Sequence, residues 1–265
     1  MIVCGIDFET TGLDFTNDRI TEIGAVLFDT SKNWEPIATL NDFVYEPDYP
    51  KLTEENVKLT GITEEMLKTQ GISFGEMLGK LCTFAHTAKY FIAHNKHFDR
   101  RILIAELDRH LSGGKGPEFI AESLAKPWLC SAEDLKPNRQ MKCWKLSHLA
   151  LDYGVAVDPS KLHRAVADVL LMGEMLAASK VPLADMIKFM QTPSVVVRID
   201  TPGPWEDGGK GVEKAKELGF KWEKIKTPDG EKVFPKQWVK LVKEDEIADL
   251  KTKSQYRLIY PKEAK

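Results

Sequence analysis

Ile2-Val3-Cys4-Gly5-Ile6-Asp7-Phe8-Glu9-Thr10-Thr11-Gly12-Leu13 opens with a short apolar, partly β-branched run, Ile2 to Ile6, that reads as a buried strand. The strand leads straight into acids. Side chains alternate faces along a strand, so Asp7 and Glu9 share one face and Phe8 takes the other. Two carboxylates side by side at the end of an apolar strand repel unless a positive charge stands between them. A hard divalent cation is a natural counter-charge; solvated acids at an ordinary strand end are the plain alternative. Thr10-Thr11-Gly12 then breaks the strand and lets backbone come close to whatever binds there.

Outward from this stretch, Arg19–Phe28 and Ile37–Tyr45 read as second and third strands, joined by short polar turns into an antiparallel meander at one side of a sheet. Thr53, Thr63 and Ser73 each precede acids or an apolar stripe and predict three helix starts. Lys89–Ala93 predicts a strand ending in His94-Asn95-Lys96-His97-Phe98-Asp99, where a helix begins, and Ser112–Pro117 predicts a loop after that helix. A short strand at Trp128–Ser131 and a helix over Trp144–Tyr153 stopped by Gly154 follow, and the run Lys161–Met172 leads into a long apolar-striped helix ending near Ser179. Strands first, then alternating helices and strands, predict an α/β mixed sheet with helices on both faces.

The composition bounds the class. The 265 residues are 43% hydrophobic and 29% charged, with a net charge of −3, which neither announces nor excludes a nucleic-acid partner. No apolar run of about 18 residues occurs, so no transmembrane helix is expected. The N-terminus has no basic leader, and its apolar stretch is needed for the acids that follow, so no cleaved signal is expected. Cys4, Cys82, Cys130 and Cys143 are far apart with no CxxC pair. They predict reduced thiols in a cytoplasmic protein, not a disulfide frame or a zinc site.

Composition shifts near Pro193. The reading is a first domain over 1–192, a linker over 193–204 around Asp200-Thr201-Pro202-Gly203-Pro204, and a small α+β accessory module over 205–265. Residues 200–265 hold 15 Lys and Arg against 13 Asp and Glu, with Trp205, Trp222 and Trp238 among them. Lys214, Lys216, Lys221, Lys224 and Lys226 interleave with Phe220 and Trp222, and Phe234, Lys236, Trp238 and Lys240 follow. Lysines that meet phosphates and aromatics that stack bases would hold a single strand. The plainer reading makes Trp222 and Trp238 the core of a small fold. A protein-docking surface is the third.

Four acids and one histidine remain: Asp7, Glu9, Asp99 at a helix start, Asp168 in another helix, and His163 five residues before it. Singly, Asp99 answers a helix dipole and His163 is a loop histidine. Asp168 sits among Val166, Ala167, Val169 and Leu170, where a carboxylate needs a partner. Together, Asp7-Phe8-Glu9-Thr10-Thr11-Gly12, Ala93-His94-Asn95-Lys96-His97-Phe98-Asp99 and His163-Arg164-Ala165-Val166-Ala167-Asp168 resemble the three ordered motifs of the DEDDh, DnaQ-like 3′→5′ exonucleases, the proofreading-subunit group. Gly61-Ile62-Thr63 resembles the Gly-Ile-Thr between the first two motifs, and the likeness covers roughly residues 1–180.

The resemblance implies a ribonuclease H-like fold and two-metal hydrolysis of a phosphodiester, with Mg²⁺ or Mn²⁺ favoured by oxygen ligands. Asp7 would bridge both cations, and Glu9, Asp99 and Asp168 would complete their shells. His163 would take the proton of the attacking water, work suited to the side chain that titrates nearest neutrality. Thr10, Thr11 and Gly12 would meet the terminal sugar, Leu13 would wedge against the terminal base, and His94, Asn95 and Phe98 would line the next nucleotide. The implied substrate is a nucleic-acid 3′ end, with single-stranded DNA favoured. The same chemistry on RNA is the alternative, since one 2′-hydroxyl separates the two, and a non-catalytic nucleic-acid-binding scaffold is the third reading. A replication or repair protein is the partner expected at the C-terminal module, and no membrane is expected.

Overall fold

Strand β1 runs Ile2–Thr10, continuing through both acids, and is the middle strand of its sheet. The computed structural model describes residues 1–111, 118–135, 143–203, 205–226 and 233–259. The loop expected at Ser112–Pro117 lies outside the described residues. The chain divides into two units, Met1–Ile187 and Lys188–Lys265.

In the first unit β1 pairs antiparallel with β2 (Ile20–Asp29), which pairs antiparallel with β3 (Glu35–Phe43). On its other side β1 is parallel to β4 (Phe91–Ala93), and β4 to β5 (Trp128–Cys130). The helices are α1 (Glu54–Thr60), α2 (Glu64–Gln70), α3 (Phe74–Thr87), α4 (Lys96–His110), α5 (Glu118–Leu124), α6 (Leu146–Asp152), α7 (Ala165–Ser179) and α8 (Leu183–Gln191). Thr53, Thr63 and Ser73 cap α1, α2 and α3 as expected, each hydroxyl accepting the backbone N–H three residues on; such a cap contributes about 1 kcal/mol. Sequence reading missed α5 and α8, although Leu183, Met186, Ile187 and Met190 of α8 carry a readable helical stripe.

The alternation of β1 sorts the layers. Cys4, Ile6 and Phe8 pack in one core with Phe74, Met77 and Leu81 of α3 and Ile102 and Leu103 of α4. Gly5 faces the other way, where a Cβ would stand 2.7 Å from Val169 of α7. Asp7 and Glu9 share the Gly5 face, so the strand aims both acids toward the helix that carries Asp168. Gly24 of β2 brings the start of α7 in: a Cβ there would lie 2.2 Å from the Ala165 carbonyl carbon and the Val166 nitrogen. On the opposite layer α4 is tied to the start of β2 by fully buried Glu106, which accepts from Arg19 Nε at 3.0 Å and from the Ile20 N–H at 3.1 Å. Among the described residues no helix is long and apolar enough to cross a membrane.

The second unit corrects the linker expected at 193–204. Residues Ser194–Asp200 form β6, which pairs antiparallel with β8 (Val233–Lys243) and with β9 (Arg257–Ile259). The physical reason is the β-branched run Val195-Val196-Val197-Arg198-Ile199, bracketed by Pro193 and Pro202. With α9 (Lys210–Glu217), β7 (Lys221–Lys226) and α10 (Ile247–Lys253), the sheet order is β7-β8-β6-β9. Val197, Ile199, Ala215, Phe220, Val242 and Leu250 form its core. Trp205 and Trp222, at 85% and 51% exposure, are not core residues, and Trp238 is half-buried at its margin. The side chains of Lys224, Lys226 and Phe234 lie outside the described residues.

Candidate active site

Asp7, Glu9 and Asp168 each place a carboxylate oxygen within 4.8 Å of the others. The two strand acids come from the face of β1 that α7 covers, and Asp168 comes from the first turn of α7. Asp99 reaches the same strand end from the first turn of α4. It is buried, and its Oδ1 accepts the Phe8 N–H at 3.2 Å. His163 lies just before α7 in the left-handed region, φ 61°, with its side chain exposed. Its backbone N–H donates to Asp168 Oδ2 at 3.3 Å. Asp168 Oδ1 is buried and has no hydrogen-bond partner among the described residues.

Burial first, and charge crowding after it, are written into the acidities. Asp7 is held well above the usual carboxylate range by burial and then by Asp99, Glu9, Asp168 and Glu22. Glu9 is pushed up to about 8 by burial and then by Asp168, Glu22 and Asp99, with Arg164 pulling the other way. Asp99 rises to about 7 through burial, opposed by its backbone hydrogen bonds. Burial also raises Asp168, against the pull of His163. An oxygen-only donor set, an unpartnered buried oxygen and mutual repulsion fit a hard divalent cation, which would relieve all three.

A supporting pair went unread in the sequence. Glu22 of β2 is fully buried and accepts from Arg164 Nε at 3.1 Å, Arg164 Nη2 at 2.8 Å and the Ala165 N–H at 3.1 Å. Arg164, the residue after His163, thus ties the start of α7 to the strand beside β1. The available signal was a lone Glu in an otherwise apolar strand, a position that demands a cationic partner.

The expected substrate residues divide between two cavities. Thr10, Thr11, Gly12, Leu13 and Phe98 line a cleft of about 540 Å³ together with Glu9. Leu13 is 79% exposed, so it is not core. The Thr10 hydroxyl donates to the Gly12 carbonyl at 2.6 Å and the Thr11 hydroxyl to Asp18 Oδ1 at 2.8 Å. Both donors therefore brace the turn. Thr53, Asn56 and Leu59 from α1 and its cap form another wall of this cleft, a place that sequence reading did not give them. His94 and Asn95 line a separate cavity of about 580 Å³ with Trp144 and Lys145. The His94 ring is engaged at both nitrogens, by the Ser131 hydroxyl at 2.8 Å and the Trp144 carbonyl at 2.7 Å.

The mixed sheet with its helices is a ribonuclease H-like fold, and four acids gather at the end of its central strand. The RNase_T family model, described as Exonuclease, matches residues 4–176. The chain belongs to this exonuclease family, in its DEDDh, DnaQ-like branch. It is 31% identical over 171 residues to the DNA polymerase III subunit epsilon of Treponema pallidum (strain Nichols), covering 64% of this chain and 72% of that one. It is 32% identical over 162 residues to the PolC-type DNA polymerase III of Pediococcus pentosaceus, covering 61% of this chain and 10% of that one. The chain thus spans about a tenth of the length of the PolC-type relatives it matches. The solved nuclease domain of 3′hExo, a DEDDh family member bound to rAMP, shares the fold at TM-score 0.54 and 21% identity, covering 66% of this chain and 90% of that one.

Proposed function

We propose that the chain is a divalent-metal-dependent 3′→5′ exonuclease that releases nucleoside monophosphates from single-stranded DNA ends. The observation that carries this reading is the convergence of Asp7, Glu9 and Asp168 oxygens within 4.8 Å, beside buried Asp99. Asp7, Glu9, Asp99 and Asp168 would hold two Mg²⁺ or Mn²⁺ ions, which when bound neutralise charge at the phosphate and lower the acidity barrier of water. His163, exposed on its bend, takes the proton of the attacking water at its imidazole. Arg164 and Glu22 keep that bend and the start of α7 against β2. The terminal nucleotide occupies the cleft of Thr10 to Leu13, with exposed Leu13 against the base and Phe98 packed along the wall. His94 and Asn95 meet the nucleotide upstream. Preference for DNA is supported by the DNA polymerase III relatives. A replication or repair protein is the proposed macromolecular partner, and a cytoplasmic setting agrees with four free cysteines.

The test is release of mononucleotides from matched single-stranded DNA and RNA oligomers with Mg²⁺ or Mn²⁺, with chelator, and with either end blocked. DNA digestion that needs the cation and an open 3′ end is expected. Preferential digestion of RNA would overturn the DNA assignment, and cleavage of circular single strands would overturn the exonuclease assignment. Asp7→Asn should abolish hydrolysis while leaving the circular dichroism spectrum unchanged; near-parental turnover in the folded variant would sink the metal-site reading.

A further inference from the structure

We infer that a tryptophan-walled cleft inside the C-terminal unit is a base-binding site for single-stranded nucleic acid, separate from the carboxylate cluster. This deepens the nucleic-acid reading above and rests on it only for the kind of ligand. The cleft, about 670 Å³, is lined by β6, β7, β8, α9 and the turn that follows β6. That volume falls within the ~300–1,000 Å³ range of built ligand sites.

Three indoles line it. Trp222 and Trp238 are directly opposite on β7 and β8, with ring centroids 5.4 Å apart and planes at 55°. Trp205 is 85% exposed and Trp222 51%. Large apolar side chains left open together, beside a core that Val197, Ile199 and Phe220 already fill, mark a binding surface. Trp205 lies across Gly203, where a Cβ would stand 2.9 Å from indole Cε2, so glycine makes room for the ring.

The polar groups select the ligand. Arg198 Nη1 donates to Gln237 Oε1 at 2.7 Å. That bond uses the amide's acceptor and leaves Gln237 N–H and further Arg198 N–H donors for acceptors on a base edge. Exposed Lys216 supplies one cation for a phosphate, and Asp200 is the acid among the lining residues. A site rich in π faces, with few cations, suits stacking of bases more than clamping of phosphates.

The experiment uses the full chain in chelator, so that nothing is cleaved. Binding of an oligothymidylate of about 20 nucleotides, its ribo counterpart, and an abasic strand of equal length is followed by anisotropy and by indole fluorescence. Expected are quenching by both base-bearing strands and weaker binding of the abasic one. Trp205→Ala should weaken binding by about tenfold, in line with the worth of one stacked base, with Trp205→Phe restoring most of it. Lys216→Gln should reduce the salt slope by about one. Abasic and base-bearing strands binding alike, or Trp205→Ala and Trp222→Ala both binding as the parent does, would overturn the inference. Because turnover is not read, failure here leaves the hydrolytic reading standing, and loss of hydrolysis in Asp7→Asn leaves this one standing.

Discussion

Asp168 divides its two oxygens between roles: one accepts the His163 backbone N–H, and the other is buried without a partner among the described residues. The carboxylate thereby couples the bend that carries the histidine to the cluster on β1. Replacing His163 by Ala should cut turnover by about 10²–10⁴-fold, the usual worth of a general base. Cation binding should be retained and the acid limb of the rate–pH profile lost; a variant that titrates like the parent would remove His163 from the role. The acids themselves make a stability prediction. Glu9 and Asp99 titrate in the folded chain at about 8 and about 7, above their ordinary 4.5 and 3.8. Between those limits the folded chain holds protons that the unfolded chain has released, so their contribution is complete below the ordinary values and lost as pH rises toward about 8. A divalent cation binds the ionised acids and should return that loss. The Tm difference between Mn²⁺ and chelator should therefore widen from pH 5 to pH 8, measured by calorimetry; a difference independent of pH would contradict the clustered site.

At the scale of elements, the decisive contact is the start of α7 on β2. Helix backbone approaches Gly24 so closely that a Cβ would stand 2.2 Å from it, and the yielding partner would be backbone, not a flexible side chain. Gly24→Ala should destabilise the unit by about 1–3 kcal/mol as overpacking does. It should also lower activity, because α7 carries Asp168 and the bend before it carries His163. Urea unfolding of the variant with an unchanged slope would report this, and parental stability would show that α7 is free to shift. Glu22 and Arg164 hold the same junction from the side, with the Ala165 N–H as a third bond.

At the scale of the molecule, the end of α8 and the start of β6, not the composition, set where the chain can be cut. Ending it after Ile199 would leave β6 without β8 and β9 and expose Val195, Val197 and Ile199. An unpaired apolar strand is an aggregation template. A chain ended after Gln191 keeps α8 whole and omits β6. That shorter fragment should remain monodisperse in sedimentation and hydrolyse short oligomers, while binding long single strands less tightly than the full chain. If both fragments sediment alike, β6 does not depend on its neighbours.

The legible features were those encoded over short spans. Alternation along β1 put Asp7 and Glu9 on one face. Thr53, Thr63 and Ser73 announced their helices, and the three motifs announced the family. Each rests on residues a few positions apart, where backbone geometry alone fixes direction. The buried Glu22–Arg164 pair joins residues far apart in sequence, so neither signalled the other. The run 194–200 was masked by the Pro and Gly that bracket it, and it became the strand between β8 and β9 only through pairing with distant segments. The tryptophans show the limit most directly. An indole reads the same in sequence whether it fills a core or faces water, because burial depends on which elements cover it. Here Val197, Ile199, Ala215 and Phe220 already close the core, and tertiary packing leaves Trp205 and Trp222 exposed.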